Sequence, residues 1–290
     1  MNLSVILGFL TGFGLVAYGM ITGSDGVSQV MANFINLPSI CITFGGAISA
    51  TIISVPTKDL KNIPKYIKVL LRTEKININQ YIDTLVDLST EARTNGLLAL
   101  ENKVNNIRIQ DDFFRLCIAL VVDSRNQNTV KEQIENEMGN IEARHAAAWN
   151  VFDTCGSFGP AFGMLGTLIG LINMLANLDV AAGGANSIGR GMAVAIITTF
   201  YGSVLVNMIC APISNRLKSK HEDEMMVKDL IKQGALLIQA EENPNLVREQ
   251  LEAYLSYADR RVGGHIVEPE FSRSSRKNKI KGVSYTSNYR

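Results

Sequence analysis

Four long runs of mostly apolar residues without a single Asp, Glu, Lys or Arg, at 1–24, 26–57, 154–178 and 191–215, alternate with stretches where charges recur every few positions. A helix rises about 1.5 Å per residue and a hydrocarbon core is about 30 Å thick, so roughly 20 such residues cross it. Each run meets that length. The pattern predicts spans at Leu3 to Ile21, at Ser39 to Val55 behind a proline-broken approach (FINLP), at Gly156 to Leu178 and at Met192 to Ile213. A buried core helix is the ordinary reading of one such run, but not of four together. The first run has no Lys or Arg ahead of it and no small-residue cleavage site, so it is read as a mature helix rather than a signal peptide.

Between the second and third spans the apolar positions recur at helical spacing. Ile63, Ile67, Leu70 and Leu71 form a stripe beside a basic face after Pro56, the mark of an amphipathic helix. Tyr81, Ile82, Leu85, Leu88, Ala92 and Leu97 predict one helix over 78–100. A third is predicted over 111–122, and a fourth from about 128 that runs on toward the third span. Residues 214–240 read as a helix that Glu241-Glu242-Asn243-Pro244 ends, with Asn243 capping a short helix over 245–258. Beyond Val262 the composition shifts to Gly, Ser, Asn and basic residues, which reads as disorder. The expected fold class is an all-α membrane protein. Its divisions are 1–57 (spans one and two), 58–150 (a helical domain), 151–215 (spans three and four), 216–261 (further helices) and 262–290 (a basic tail).

The mean hydropathy of +0.12 conceals this division, because apolar quarters are averaged with charged ones. All of the 28 Lys and Arg residues except Arg190 lie in 58–150 and 216–290, which places those segments and both termini in the cytoplasm. The links between paired spans carry only Asp25, and Asp179 with Arg190, and face outward. A net charge of +1 and a pI near 7.6 argue against nucleic acid as a partner. Basic clusters flank the spans instead, Lys58, Lys61, Lys65, Lys68 and Arg72 after the second and Arg216, Lys218 and Lys220 after the fourth, where headgroup anchoring is their ordinary role. The cysteines at 41, 117, 155 and 210 fall singly and read as small buried hydrophobes in a reducing compartment.

No phosphate loop, HExxH, GxSxG or CxxC occurs, and His145, His221 and His265 stand alone in sequence. Neither catalytic residue, metal site nor cofactor is expected. The spans themselves lack Asp, Glu, Lys, Arg and His, the groups by which transporters relay protons, so a partner must supply the carboxylate if ions move here. They carry small and hydroxylated residues: Gly159, Gly163, Gly166, Thr167 and Gly170 in the third, Thr198, Thr199, Gly202 and Ser203 in the fourth, Thr43, Gly45, Gly46 and Ser49 in the second. Close helix packing explains most of them. Hydroxyls at Thr167 and Thr199 also suit the wall of a narrow ion path. Pro160 and Pro212, expected at similar depth, each free a backbone carbonyl near a hinge.

Taken together, the order of spans and the local patterns Leu37-Pro38-Ser39 with Gly45-Gly46, GPAFGMLGTLIGLI from Gly159, AIITTFYG from Ala195 and the ENP turn at Pro244 resemble the MotA/PomA family of flagellar stator subunits over about residues 1–260. That resemblance implies a plasma-membrane protein without enzymatic activity, assembled as a homo-oligomeric ring, a pentamer in the family. The ring would surround a MotB/PomB-type partner carrying the membrane Asp and a peptidoglycan-binding domain. Pro160, Pro212 and Thr199 match family positions near that Asp. Thr167 stands where sodium-driven members have Thr and some proton-driven members have Ala, so the ion stays open. The motif R-x-x-G-x-x-x-L-E, whose charges contact the rotor's switch protein in the family, is matched by Arg93, Gly96, Leu100 and Glu101. On physical grounds alone Arg93 and Glu101 would be a solvated helix face. An energiser of an outer-membrane process similar to ExbB/TolQ is the alternative, although those proteins have three spans. A membrane scaffold without ion flux is a third.

Overall fold

The computed structural model describes residues 3–23, 27–72, 77–104, 109, 111–123, 126–176, 185–255, 261–262 and 265–266. Helices α1 (Leu3–Thr22) and α2 (Val27–Phe34) precede α3 (Leu37–Ile40), a π-helical turn at Cys41–Gly45, and α4 (Gly46–Ser54). Then come α5 (Thr57–Lys61), α6 (Ile63–Leu71), α7 (Ile78–Asn95), α8 (Ala99–Val104) and α9 (Asp112–Asp123). A single helix of 50 residues, α10 (Gln127–Ala176), follows. Next, α11 (Ala185–Val204), a second π turn at Leu205–Cys210, and α12 (Ala211–Gln239) run on without a break, before α13 (Pro244–Glu252). β1 (Arg261–Val262) and β2 (His265–Ile266) pair as a two-residue antiparallel ladder. The remainder of 262–290, read as disordered from composition, lies outside the described residues.

Among the described residues, four helices are long and apolar enough to cross a membrane: Val5–Thr22, Leu37–Ser54, and stretches of Gln127–Ala176 and of Ile188–Gln239. Their outer faces are apolar. Leu7, Leu10, Leu15, Ile53, Met164, Leu168 and Ile196 are all exposed, the reverse of a water-facing surface and the pattern that lipid satisfies. The chain forms two compact units, Met1–Lys75 with Asn140–Glu222, which holds all four spans, and Ile76–Gly139 with Asp223–Arg290.

In the first unit the amphipathic α6 lays Leu70 against Ala148, Phe152, Ile213 and Leu217, with Tyr66 and Trp149 around them. Lys220 donates to the carbonyls of Val69 and Arg72, capping the C-terminal end of α6. The link between the first two spans holds α2, which the sequence pattern did not show. Tyr201 fixes its end, donating to the Phe34 carbonyl while its oxygen accepts from the Asn36 N–H. Asn36 in turn caps α3, its side chain accepting from Ser39 N at 3.0 Å.

In the second unit α7 and α13 pack together, burying Ile82, Leu85, Leu88, Val247 and Leu251. Arg248 reaches Asp83 at 2.9 Å across that contact. Asp111 caps α9 by accepting from Phe113 N at 2.9 Å. Lys228 is nearly buried, yet its charge lies 4.8 Å from the Phe113 ring centroid and 3.2 Å from Glu224. Asp229 loses hydration on burial, but hydrogen bonds from Lys232 and Tyr254 outweigh that loss and hold its carboxyl below the usual range. Burial and Asp229 together push the Tyr254 phenol up.

The helix predicted over 78–100 is in fact two. Gly96, at φ 81° and ψ 164°, takes a conformation closed to other residues, and the chain turns there between α7 and α8. The π turn at Leu205–Cys210 has an equally local cause. Pro212 has no N–H to give the Met208 carbonyl and its ring would collide with it, and a wider turn ahead of the proline relieves both.

Spans three and four meet through glycines. A Cβ at Gly202 would stand 2.6 Å from the Gly159 carbonyl oxygen, and one at Gly166 2.4 Å from Thr198 Cγ2. Gly202→Val is therefore expected to lower thermal stability in detergent by about 1–3 kcal/mol or more through overpacking. Gly14→Ala, where a Cβ meets nothing within 4 Å, is expected to leave it unchanged. Equal melting of the two variants would show that this contact does not set the helix spacing.

Candidate functional site

Where α10 crosses α11, backbones touch because the sequence provides no side chains to hold them apart. Gly159 and Pro160 lie beside Gly202, Gly163 beside Thr198 and Thr199, Gly166 beside Thr198, and Gly170 beside Gly191 and Ala195. This close approach brings two predicted residues into direct contact. Thr167 Oγ and Thr199 Oγ are 2.8 Å apart. Both lie within 3.3 Å of the Ala195 carbonyl, and Thr167 is also 3.1 Å from the Gly163 carbonyl. Four neutral oxygens thus converge at one level of the helix pair. Thr199 and Pro160 are exposed and Thr167 is half-buried, so the group opens onto the surface of the chain.

Thr198, next to Thr199, turns the other way. It is fully buried and its hydroxyl lies 3.0 Å from the carbonyls of Val194 and Ala195. Its own carbonyl accepts from Thr43 at 3.3 Å, tying the second span to this pair. Gly46 lies beneath the Phe162 ring, where a Cβ would be 2.2 Å from a ring carbon. The glycine at 46 and the hydroxyl at 43 therefore support the site from behind.

Pro160 and Pro212 do not share a depth. Gly156 already faces Cys210, so Pro212 lies a full helical turn or more beyond Pro160 toward the N-terminal end of α10. The expectation of equal depth failed because it ignored the antiparallel register that the glycine contacts impose. Pro160 sits within α10 with its backbone beside Gly202.

The other predicted pair lies in the second unit. Arg93 is near the end of α7 and Glu101 on α8, so the Gly96 turn separates them and they share no helix face. Both are exposed. Sequence reasoning missed what fixes that turn. Lys103 and Asn95 both donate to the Glu91 carboxylate, closing the two helix ends together. These hydrogen bonds, with the Lys103 charge, hold Glu91 below the usual carboxylate range. Opposite charges at Glu91 and Lys103 on either side of a glycine were the available signal. Glu101 also lines a cavity of about 300 Å³ with Arg115, Asp123 and the apolar Ile118 and Val122.

Two residues read as isolated are partners. His145 Nδ1 and His221 Nδ1 lie 3.1 Å apart, and the Trp149 ring packs against His221 at a tilt of 51° with centroids 5.1 Å apart. The cysteine reading holds for Cys117 and Cys210, which are buried, and burial pushes the Cys117 thiol up to about 12. Cys41, by contrast, is exposed.

A helical protein with four uncharged apolar spans among its described residues, and an exposed hydroxyl cluster on its glycine-lined helix pair, belongs to the class of polytopic membrane proteins. Residues 105–230 match the family described as the MotA/TolQ/ExbB proton channel family. The chain is 34% identical to motility protein A of Borreliella burgdorferi over 90% of its own length and 96% of that protein's. It is 35% identical to the protein YtxD of Bacillus subtilis, over 86% and 89%. The solved structure of the flagellar MotAB stator complex from Bacillus subtilis superposes with a TM-score of 0.72 at 26% identity, covering 93% of this chain and 98% of that one. The chain belongs to the motility protein A family of MotA/TolQ/ExbB proton-channel proteins.

The 2.8 Å hydroxyl contact is testable alone. A double-mutant cycle of Thr167→Val and Thr199→Val, read by thermal unfolding, should give a coupling of about 1 kcal/mol. Strict additivity of the two losses would show that the hydroxyls do not act on each other.

Proposed function

We propose that this chain is the ion-conducting flagellar stator subunit that, with a MotB/PomB-type partner, couples proton or sodium flow to torque on the rotor. The carrying observation is the full-length likeness to motility protein A and to a solved stator complex, in a chain whose four spans hold no Asp, Glu, Lys, Arg or His. Such a chain has no carrier of its own for an ion. The partner provides the membrane Asp, and copies of this chain form a ring, a pentamer, around it. Residues 58–150 and 216–261 lie in the cytoplasm with both termini, in keeping with the distribution of Lys and Arg.

In this reading the partner's Asp approaches the exposed face of spans three and four. Thr167 and Thr199 offer neutral oxygens to a partly dehydrated ion as it passes to that carboxylate. Pro160 and Pro212 are places where the helix ladder is already interrupted, so a change of charge at the Asp shifts the helices there at low cost. Those shifts turn the ring against the anchored partner. Arg93 and Glu101, on the two arms of the Gly96 turn, pass the motion to charges on the rotor's switch complex. Because these two are solvent-exposed, their contribution to folding is small and their substitution reads out contact rather than stability.

Co-expression with a peptidoglycan-binding partner in a stator-null strain should restore ion-dependent rotation. Restoration of an outer-membrane transport process instead would favour the ExbB/TolQ-like alternative. Thr199→Ala should reduce torque most at a limiting ion gradient, and normal torque there would remove this hydroxyl from the pathway. The Arg93→Glu, Glu101→Lys double variant should lose motility while still inserting and binding its partner. Wild-type swimming by that variant would remove both residues from the rotor contact.

A further inference from the structure

A cavity of about 390 Å³ opens beside the fourth span, away from the hydroxyl cluster. Val5, Gly8, Phe9, Gly12 and Phe13 of α1 form one wall, and Asn207, Met208, Pro212 and Arg216 another, with the Asn207 amide turned back to donate to the Ser203 carbonyl at 3.0 Å. Glycine makes the room: a Cβ at Gly8 would meet nothing within 4 Å, and one at Gly12 would meet only Met208 Cε at 3.6 Å. Met208, beside Gly12, marks the deep end of the cavity. Leu70, which packs in the same cluster as Val5, marks the shallow end. From Val5 to Phe13 the wall runs about 12 Å along α1, close to the roughly 15 Å depth of one leaflet.

Charge is confined to one position. Arg216 is the first charged residue after the uncharged run 191–215 and therefore lies where the fourth span leaves the hydrocarbon. Its basic neighbours are engaged, Lys218 with Asp153 at 2.7 Å and Lys220 with the end of α6. Arg216 is exposed and has no ion-pair partner among the described residues. An unpaired guanidinium at the mouth of an apolar, leaflet-deep cavity offers bidentate binding to a phosphate whose attached chain fills the space behind it.

We propose that this cavity is a binding site for one anionic phospholipid, with an acyl chain between α1 and the fourth span and the headgroup phosphate on Arg216. The apolar depth excludes a free phosphate as the ligand, since nothing would then fill the space. The proposal depends on the membrane-spanning reading, but not on rotation or torque. Bound there, the lipid chain lies against Pro212, at the end of the π turn.

The test is native mass spectrometry of the full chain, extracted with its co-expressed partner from membranes containing phosphatidylglycerol and phosphatidylethanolamine. Retained phosphatidylglycerol should exceed phosphatidylethanolamine by about fivefold, the effect of one basic residue at an anionic lipid surface. Arg216→Gln should bring that ratio near one, while Lys61→Gln, on α5, leaves it in place. Gly8→Leu, which fills the cavity, should reduce retention of both lipids. Photoreactive phosphatidylglycerol should label Phe9, Phe13 or Met208 in the unsubstituted chain, a readout that needs no variant to fold. An unchanged ratio in Arg216→Gln would overturn the proposal, as would a cross-link from Phe9→Cys to a second copy of the chain. Loss of motility with lipid retention intact would count against the stator reading alone.

Discussion

Direct backbone contact between α10 and α11 is the constraint on which the membrane part of this protein rests. In lipid the hydrophobic effect does not drive one helix onto another, so association depends on dispersion between closely fitted surfaces and on hydrogen bonds that have no water to compete with them. Gly159, Gly163, Gly166 and Gly170 remove one set of side chains, and Gly202 and Gly191 the other. The carbonyls, left at van der Waals distance, set the register of the pair. Thr167 faces Thr199 because Gly163 and Gly166 bring the helices together one turn away. A larger residue at any of these points would separate the hydroxyls as well as the helices.

That register also explains how two prolines, alike in sequence, are accommodated differently. Pro160 lies inside a regular helix of 50 residues, exposed on its surface, with its backbone beside Gly202. Pro212 follows a π turn that widens the ladder before it, and an open cavity lies alongside. Pro160 borders the glycine contact of the helix pair, and Pro212 borders the cavity. Pro212 also lies nearer the point where the fourth span leaves the apolar layer.

Much of this was legible in the sequence, because the strongest signals are physical rather than statistical. An uncharged stretch long enough to span a bilayer has few other uses, and the helices at Leu3–Thr22 and Leu37–Ser54 begin and end within a few residues of the predicted limits. Thr167 and Thr199 could be chosen from the small-residue pattern around them, although their mutual contact could not. What escaped prediction depended on pairings distant in sequence or on a single dihedral. The periodicity of Leu88, Ala92 and Leu97 continues across Gly96 as though the helix did, yet one positive φ ends it. His145 and His221 meet across 76 positions, and the depth of Pro212 follows from which glycine faces which residue. Helix α2 is too short, and too polar at Ser28 and Gln29, to rise above its surroundings.

The hydroxyl cluster finally constrains what the chain can do without help. Thr167, Thr199 and the Ala195 and Gly163 carbonyls contribute dipoles, which can replace part of an ion's water but cannot cancel its charge. Transferring an ion into a medium of low dielectric costs far more than a few neutral oxygens return, so such a site alone excludes ions rather than conducting them. An anionic group brought to the exposed side of Thr199 reverses that balance, since its attraction also strengthens as the dielectric falls. Protonation or ion binding then neutralises the added carboxylate and weakens its hold on the dipoles around it. The packing of α10 against α11 supplies only neutral groups to such an exchange, so its charge must come from outside this helix pair.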